Sequence, residues 1–494
     1  VLTILGVIMF LRTGWVVGEA GLLGALLVLV IANSITALTA LSLSSVSTNT
    51  RVGAGGAYFL ISRSLGPEVG GSIGIPLFFA QAISVAFYLV GFSESLRMLL
   101  PAWNERIVSL AALAVFIGVA WFGASVVARA QYVILALLLA SLAAIFTGVD
   151  FEPNLGERLG PAFSEGVGLW MVFAVFFPAV TGIMAGVSMS GDLRSPSRAI
   201  PRGTLGSIIV TFVIYAAIMA WLALSADRES LKTSNLILLD IASIPPLVYV
   251  GLWAATLSSA LASLAAAPRT LKALADDRIV GTWIGRGFGS REPRVALLLA
   301  AGVAAVCILL GDLDVIAPVI TMFFLATYGT VNLVAGVERL VGNPSYRPTF
   351  RTHWSLSILG GVGCIGVMLL INPIATVVAG ITIAGIYVFV SGRDTGSAFS
   401  DMRSGLWFAI MRFGLLRYVT SRIHLRNWRP VLLVLVGNPA SRLGMVRFAH
   451  GLESGRGFLF LAQIITGPWS DLLSRQHKIE RSLQSFIAEN RLSA

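Results

Sequence analysis

Long apolar runs, one after another, limit what this chain can become. Crossing the roughly 30 Å hydrocarbon layer of a bilayer takes about 20 apolar residues in a helix. Twelve runs meet that requirement, near 1–20, 22–48, 69–100, 106–123, 127–148, 167–190, 203–225, 245–267, 295–311, 313–337, 354–371 and 374–391. Lipid offers the backbone no water, so each span must close its own hydrogen bonds, as an α-helix does. The expected fold class is an all-α polytopic membrane protein with twelve transmembrane helices. Of the 494 residues 56% are hydrophobic and 12% charged, against about 25% charged in soluble domains, which excludes a water-soluble globule.

The formal charge of +11 raises nucleic acid as a partner. That class is excluded because the basic residues stand between apolar runs too long for a nucleic-acid module. They sort by loop instead. The connections at 49–68, 124–130, 191–202, 268–294 and 338–353 hold fifteen Lys and Arg, while the alternate ones hold five, Arg97, Arg106, Arg158, Arg228 and Lys232. The basic side is read as cytoplasmic, which puts the end of the first span outside and the tail inside. That tail carries fourteen Lys and Arg against six Asp and Glu, and contains a strand-like run, Val431 to Val436, followed by helical periodicity. The expected domains are a transporter domain over 1–392 and a cytoplasmic α/β regulatory or dimerisation domain over 393–494, cut off downstream. Val1 opens an apolar stretch with no basic segment before it, so the chain reads as trimmed upstream rather than as carrying a signal peptide.

Catalytic constellations are not expected. Cys307 and Cys364 each lie inside an apolar run, and His353, His424, His450 and His477 are scattered, which gives neither a disulfide framework nor metal-ligand spacing. Two spans, the first and sixth, are interrupted instead, and they open the two five-helix halves of the first ten. Leu5-Gly6-Val7 carries a glycine, and Phe177-Pro178-Ala179-Val180-Thr181-Gly182 carries a proline that cannot donate to the carbonyl of Ala174. Interruptions at matching positions point to a transporter's midplane site; packing glycines are the plainer alternative. The N–H groups of Gly6-Val7-Ile8 and Gly182-Ile183-Met184 suit an anion, whereas carbonyls before each break, with the hydroxyls of Thr3 and Thr181, suit a dehydrated cation.

Three further features carry competing readings. Arg12 and Glu94 are charges inside spans, either paired as an extracellular gate or reaching the interface separately. Ala255-Thr256-Leu257-Ser258-Ser259 gathers oxygens for a small cation, unless the hydroxyls bond back to their own helix. Gly53-Ala54-Gly55-Gly56 follows no strand, so it reads as a tight connection and not as a nucleotide loop.

These residues resemble the cation-chloride cotransporter family. Gly6-Val7-Ile8-Met9-Phe10-Leu11-Arg12, the run from Gly55-Gly56-Ala57-Tyr58 through Arg63 to Gly66-Pro67-Glu68, Phe176 to Gly186, Ser190-Gly191-Asp192-Leu193, Ala199-Ile200-Pro201 and Asn427-Trp428-Arg429-Pro430 carry the likeness along the whole chain. It implies the amino acid-polyamine-organocation (LeuT-like) fold, with two inverted five-helix repeats, two further helices and a homodimer in the plasma membrane. It also implies electroneutral secondary symport with no cofactor beyond the carried ions. By this likeness potassium falls on Thr3, Ile4, Tyr88, Pro178 and Thr181. Chloride falls on Gly6, Val7 and Ile8, and on Gly182, Ile183 and Met184 with Tyr328. The eighth span looks like the sodium-dependent branch, which implies a sodium site of Leu2, Leu5, Ala255, Ser258 and Ser259. Arg12 and Glu94 match the family's outer gate pair. Thr3 stands where the family usually has Asn and Leu5 where it has an aromatic, and the first shortens a potassium-site side chain. A sodium-coupled amino acid or polyamine carrier on the same fold, and a sodium-independent potassium-chloride cotransporter, are the alternatives.

Overall fold

The computed structural model describes residues 1–49, 55–121, 124–148, 155–188, 195–285, 293–311, 313–342, 346–391, 402–420, 429–467 and 469–490. Gly53, Ala54, Ser190 to Leu193, Asn427, Trp428 and the expected domain boundary after 392 lie outside the described residues. The chain falls into two compact units, Val1–Ala409 and Ile410–Ala494.

Among its described residues the first unit is built of helices and their connections, with no strand. Its helices are α1 (Val7–Leu11), α2 (Thr13–Asn49), α3 (Ala57–Leu65), α4 (Pro67–Leu99), α5 (Glu105–Trp121), α6 (Ala124–Thr147), α7 (Leu155–Leu159), α8 (Leu169–Phe176) and α9 (Ile183–Ser188). They continue as α10 (Pro196–Ser225), α11 (Arg228–Thr233), α12 (Ile237–Asp240), α13 (Pro245–Asp276), α14 (Arg294–Leu310), α15 (Leu313–Val341), α16 (Trp354–Ile371) and α17 (Pro373–Ser391). Among the described residues seven helices are long and apolar enough to cross a membrane, namely α2, α4, α10, α13, α15, α16 and α17. The segments Gln131–Thr147, Leu169–Val180 and Arg294–Leu310 are shorter apolar helices. This is the architecture of a polytopic helical membrane protein.

Burial ranks the helices. In α4, 89% of the most apolar stretch is covered by other helices, against 6% in α17, so α4 is central and α17 peripheral. Glycine sets the closest approaches. A Cβ on Gly91 of α4 would overlap Val7 of α1, and one on Gly251 of α13 would overlap Ser141 of α6. The helix counted as α2 turns sharply at Gly21, with φ 68° and ψ 170°, where the runs expected at 1–20 and 22–48 meet. That left-handed backbone favours glycine, and a Cβ there would also overlap the carbonyl of Gly160.

The turn is pinned by a further charge in the first apolar run. Glu19, 2% exposed, accepts Ser164 N–H at 2.7 Å and Ser164 Oγ–H at 2.6 Å, and lies 3.5 Å from Lys232 Nζ. A buried carboxylate is tolerated when it is hydrogen-bonded and paired.

In the second unit, β1 (Val431–Leu435), α19 (Leu443–Glu453) and β2 (Phe458–Ala462) form a β-α-β unit, between α18 (Met402–Thr420), which straddles the division, and α20 (Trp469–Glu489). The strands are parallel, with Val431 opposite Phe458 and Leu435 opposite Ala462. The apolar run at Val431 is thus a strand, as its composition suggests. After α19 the backbone N–H groups of Gly457 and Gly455 bond Glu453 and hold its carboxyl below its ordinary pKa.

Candidate functional site

Both interruptions are present, and they touch. In the first, residues 2 to 6 form turns and bends before α1 starts: Ile4 and Leu5 N–H donate to Val1 O, each at 3.0 Å, and Gly6 N–H donates to Ile4 O at 2.9 Å. Gly6 caps α1 with an extended backbone, φ −110° and ψ −151°. In the second, α8 gives way to a 3-10 turn over Phe177–Val180 and then to Thr181 and Gly182 before α9. Pro178 has no N–H for the carbonyl of Ala174. Thr321 of α15 comes to that carbonyl, its Oγ lying 2.8 Å from Ala174 O and 2.9 Å from Ala317 O of its own helix, so that one proton is shared between two carbonyls. Thr181 N–H and Oγ–H both return to Pro178 O, at 3.3 and 2.9 Å.

Contact between the breaks is at the backbone. Thr3 Oγ–H donates to Gly182 O at 3.0 Å, and a Cβ on Gly182 would overlap the carbonyl of Thr3. Two buried tyrosines brace the pair: Tyr215 of α10 donates to Ile4 O at 2.9 Å and Tyr328 of α15 to Thr181 O at 2.7 Å. Tyr88 of α4 and Ser259 of α13 close over Gly6, lying 3.4 and 3.6 Å from where its Cβ would be. Ser259 Oγ–H reaches Leu2 O at 3.4 Å, while Ser258 Oγ–H donates to Gln131 Oε1 of α6 at 3.0 Å. Leu5, Val7, Ile8, Ala255, Ile183 and Met184 are all buried around this centre. A cavity of ≈ 240 Å³ adjoins it, lined by Thr3, Ile4, Gly182 and Ile183 and by Ile200 and Thr204 of α10.

Nearly every residue singled out in the two breaks therefore shares one locus of carbonyl and hydroxyl oxygens and helix starts. Such a locus can replace water around a small ion. The described residues hold no group of three or more His, Cys, Asp or Glu that could bind a metal. The hydroxyl proton of Ser258 goes to Gln131 of α6, outside the two breaks. Neither serine bonds back to its own helix in these contacts, unlike neighbouring Thr256, which donates to Leu252 O at 2.7 Å.

An ion pair stands at each end of α4. At the C-terminal end Arg12 Nη1 lies 3.2 Å from Glu94 Oε1, with side chains 7% and 16% exposed, and Asn235 Nδ2–H donates to the same oxygen at 3.0 Å. At the N-terminal end Arg63 of α3 donates to both oxygens of Asp277, at 3.2 and 3.0 Å, and Tyr58 O–H donates to Asp277 at 2.6 Å. Burial, reinforced by Asp277, pushes the Tyr58 hydroxyl pKa up. Gly55 and Gly56 make a tight connection here: Gly56, φ 57°, packs on the backbone of Ser188. Gln81 then joins three helices, donating to Ser188 Oγ and accepting from Thr270 Oγ–H, both at 2.9 Å.

Sequence reasoning missed Gln131, Tyr215, Asn235 and Thr321. Gln131, Tyr215 and Thr321 stand out only as isolated polar groups in apolar runs, and Asn235 carries no local signal.

A family model described as amino acid permease matches residues 1–434. Solute carrier family 12 member 1 of Mus musculus is 31% identical over 559 residues, covering all of this chain and 51% of that protein. Member 2 of Squalus acanthias is 32% identical over all of this chain and 47% of its own length. Member 9 of Mus musculus is 34% identical over 96% of this chain and 58% of its own length. The chain thus spans about half the length of the relatives it matches. The resemblance read from its motifs is borne out by these solute carriers, and the chain belongs to the amino acid permease family of membrane transporters.

Proposed function

We propose that this protein is a secondary, electroneutral symporter that moves chloride with potassium and sodium by alternating access. The observation that carries the reading is the meeting of the two breaks, with Thr3 bonded to Gly182 and a tyrosine braced on each. A bare ion loses solvation worth of order 20 kcal/mol in the idealised low-dielectric limit, and this locus offers the oxygens and N–H groups to replace it.

Potassium is assigned to Thr3, Ile4, Tyr88, Pro178 and Thr181, and sodium to Leu2, Leu5, Ala255, Ser258 and Ser259. One chloride is assigned to Gly6, Val7 and Ile8, the other to Gly182, Ile183 and Met184 with Tyr328. Arg12 and Glu94 form the extracellular gate. Twelve spans with inverted five-helix repeats, a plasma-membrane homodimer and a cytoplasmic second unit complete the reading. The solute-carrier names of the relatives support it. The description of the matched family model favours a second reading, an amino acid carrier on the same fold. Rubidium uptake into proteoliposomes separates the two: replacing chloride by gluconate should abolish sodium-driven uptake, and unchanged uptake would sink the chloride-coupled reading.

A further inference from the structure

We infer that Gln131 is a positioning residue for sodium, which fixes the hydroxyl proton of Ser258 so that the serine's lone pairs face the cation. The inference rests on the sodium assignment above. A hydroxyl carries one proton and two lone pairs. To ligate a cation it must send that proton elsewhere, and in a helix the usual recipient is its own i−4 carbonyl. Thr256, two residues earlier, does this. Ser258 does not, since its proton goes across the helix interface to Gln131 Oε1 at 3.0 Å.

That interface is built for the contact. Gly251, two turns earlier on α13, lets α6 approach so closely that a Cβ would overlap Ser141. Numbering runs in opposite directions along the two helices, since Gly251 meets Ser141 and Ser258 meets Gln131. A lone amide at the start of an apolar run is expensive in a membrane unless it is satisfied or used.

The two serines thus differ. Ser259 and the Leu2 carbonyl face each other across a long 3.4 Å contact, which a cation entering between them replaces. Ser258 has its proton already parked outside the site, and a bound cation makes that hydroxyl a stronger donor to Gln131. Outer partners of this kind typically change ion affinity by 10–100-fold.

Sodium-, rubidium- and chloride-dependence of uptake in proteoliposomes test this for Gln131→Leu, Gln131→Glu and Ser258→Ala. Gln131→Leu should raise the sodium concentration for half-maximal uptake by about tenfold or more, with the rubidium and chloride values unchanged. Gln131→Glu, which keeps a carbonyl-type acceptor, should restore it. A uniform rise in all three constants, or no rescue by Glu, marks a merely structural amide and overturns the inference. If Ser258→Ala abolishes sodium dependence while Gln131→Leu leaves the sodium constant untouched, Gln131 has no such role and the sodium site stands. Sodium dependence that survives Ser258→Ala overturns both.

Discussion

The second break is favoured by its own sequence, and the first is held more by its neighbours. Pro178 withholds an N–H from Ala174 O and so favours a break there, although Pro76, Pro201, Pro268 and Pro318 are carried inside continuous helices, and Thr181 ties the loosened turn back to Pro178 O. The first break has no proline, and its glycine adopts an extended backbone open to any residue. It keeps its shape through Tyr215 on Ile4 O, Ser259 at Leu2 O and Thr3 on Gly182 O. One break is thus favoured by its own proline, while the other relies more on bonds from outside it, though each also receives a tyrosine hydroxyl.

Four substitutions break or sharpen this contrast. Pro178→Ala returns a donor to Ala174 O and removes a residue that costs about 3 kcal/mol in a helix interior. We expect the thermal midpoint of the purified protein to hold or rise while rubidium uptake falls at least tenfold; a variant that unfolds earlier speaks against local encoding. Next come the two glycines. Gly182→Ala drives a Cβ into the Thr3 carbonyl and should cost roughly 1–3 kcal/mol in thermal unfolding, whereas Gly6→Ala meets Tyr88 and Ser259 only at ordinary van der Waals distance. Near-equal midpoints for the pair would erase the distinction. The smallest effect is also the sharpest. Thr321→Val should destabilise by about 0.5–1.5 kcal/mol by removing a donor shared between Ala174 O and Ala317 O, yet cost little in a Pro178→Ala background, where the helix serves the Ala174 carbonyl itself. A double-mutant cycle on midpoints reads the coupling, and additive effects would refute it.

The same contrast explains how much the sequence reveals. Pro178 with Gly182 four residues on marks the second break through covalent geometry, where Pro76, Pro201, Pro268 and Pro318 leave their helices continuous, and apolar run length reports the helical membrane fold through the thickness of a bilayer. The strand at Val431 is legible too, as a short branched apolar run between turn residues. Gln131, Tyr215 and Thr321 are not, because a polar residue in an apolar run announces a need for a partner without saying where it lies. Gln131 finds Ser258 across 127 positions, and Tyr215 finds Ile4 across 211. Glu19 was visible as a charge within the first run, but its partners Ser164 and Lys232 come from connections whose folding no periodicity reports.

The ion pairs at the two ends of α4 differ from surface pairs in how they respond to salt. At physiological ionic strength charges in water are screened over about 8 Å, and buried pairs far less. Arg12–Glu94 and Arg63–Asp277 are largely enclosed, with no side chain more than 21% exposed. The strength of both pairs therefore depends little on the ionic strength around the protein.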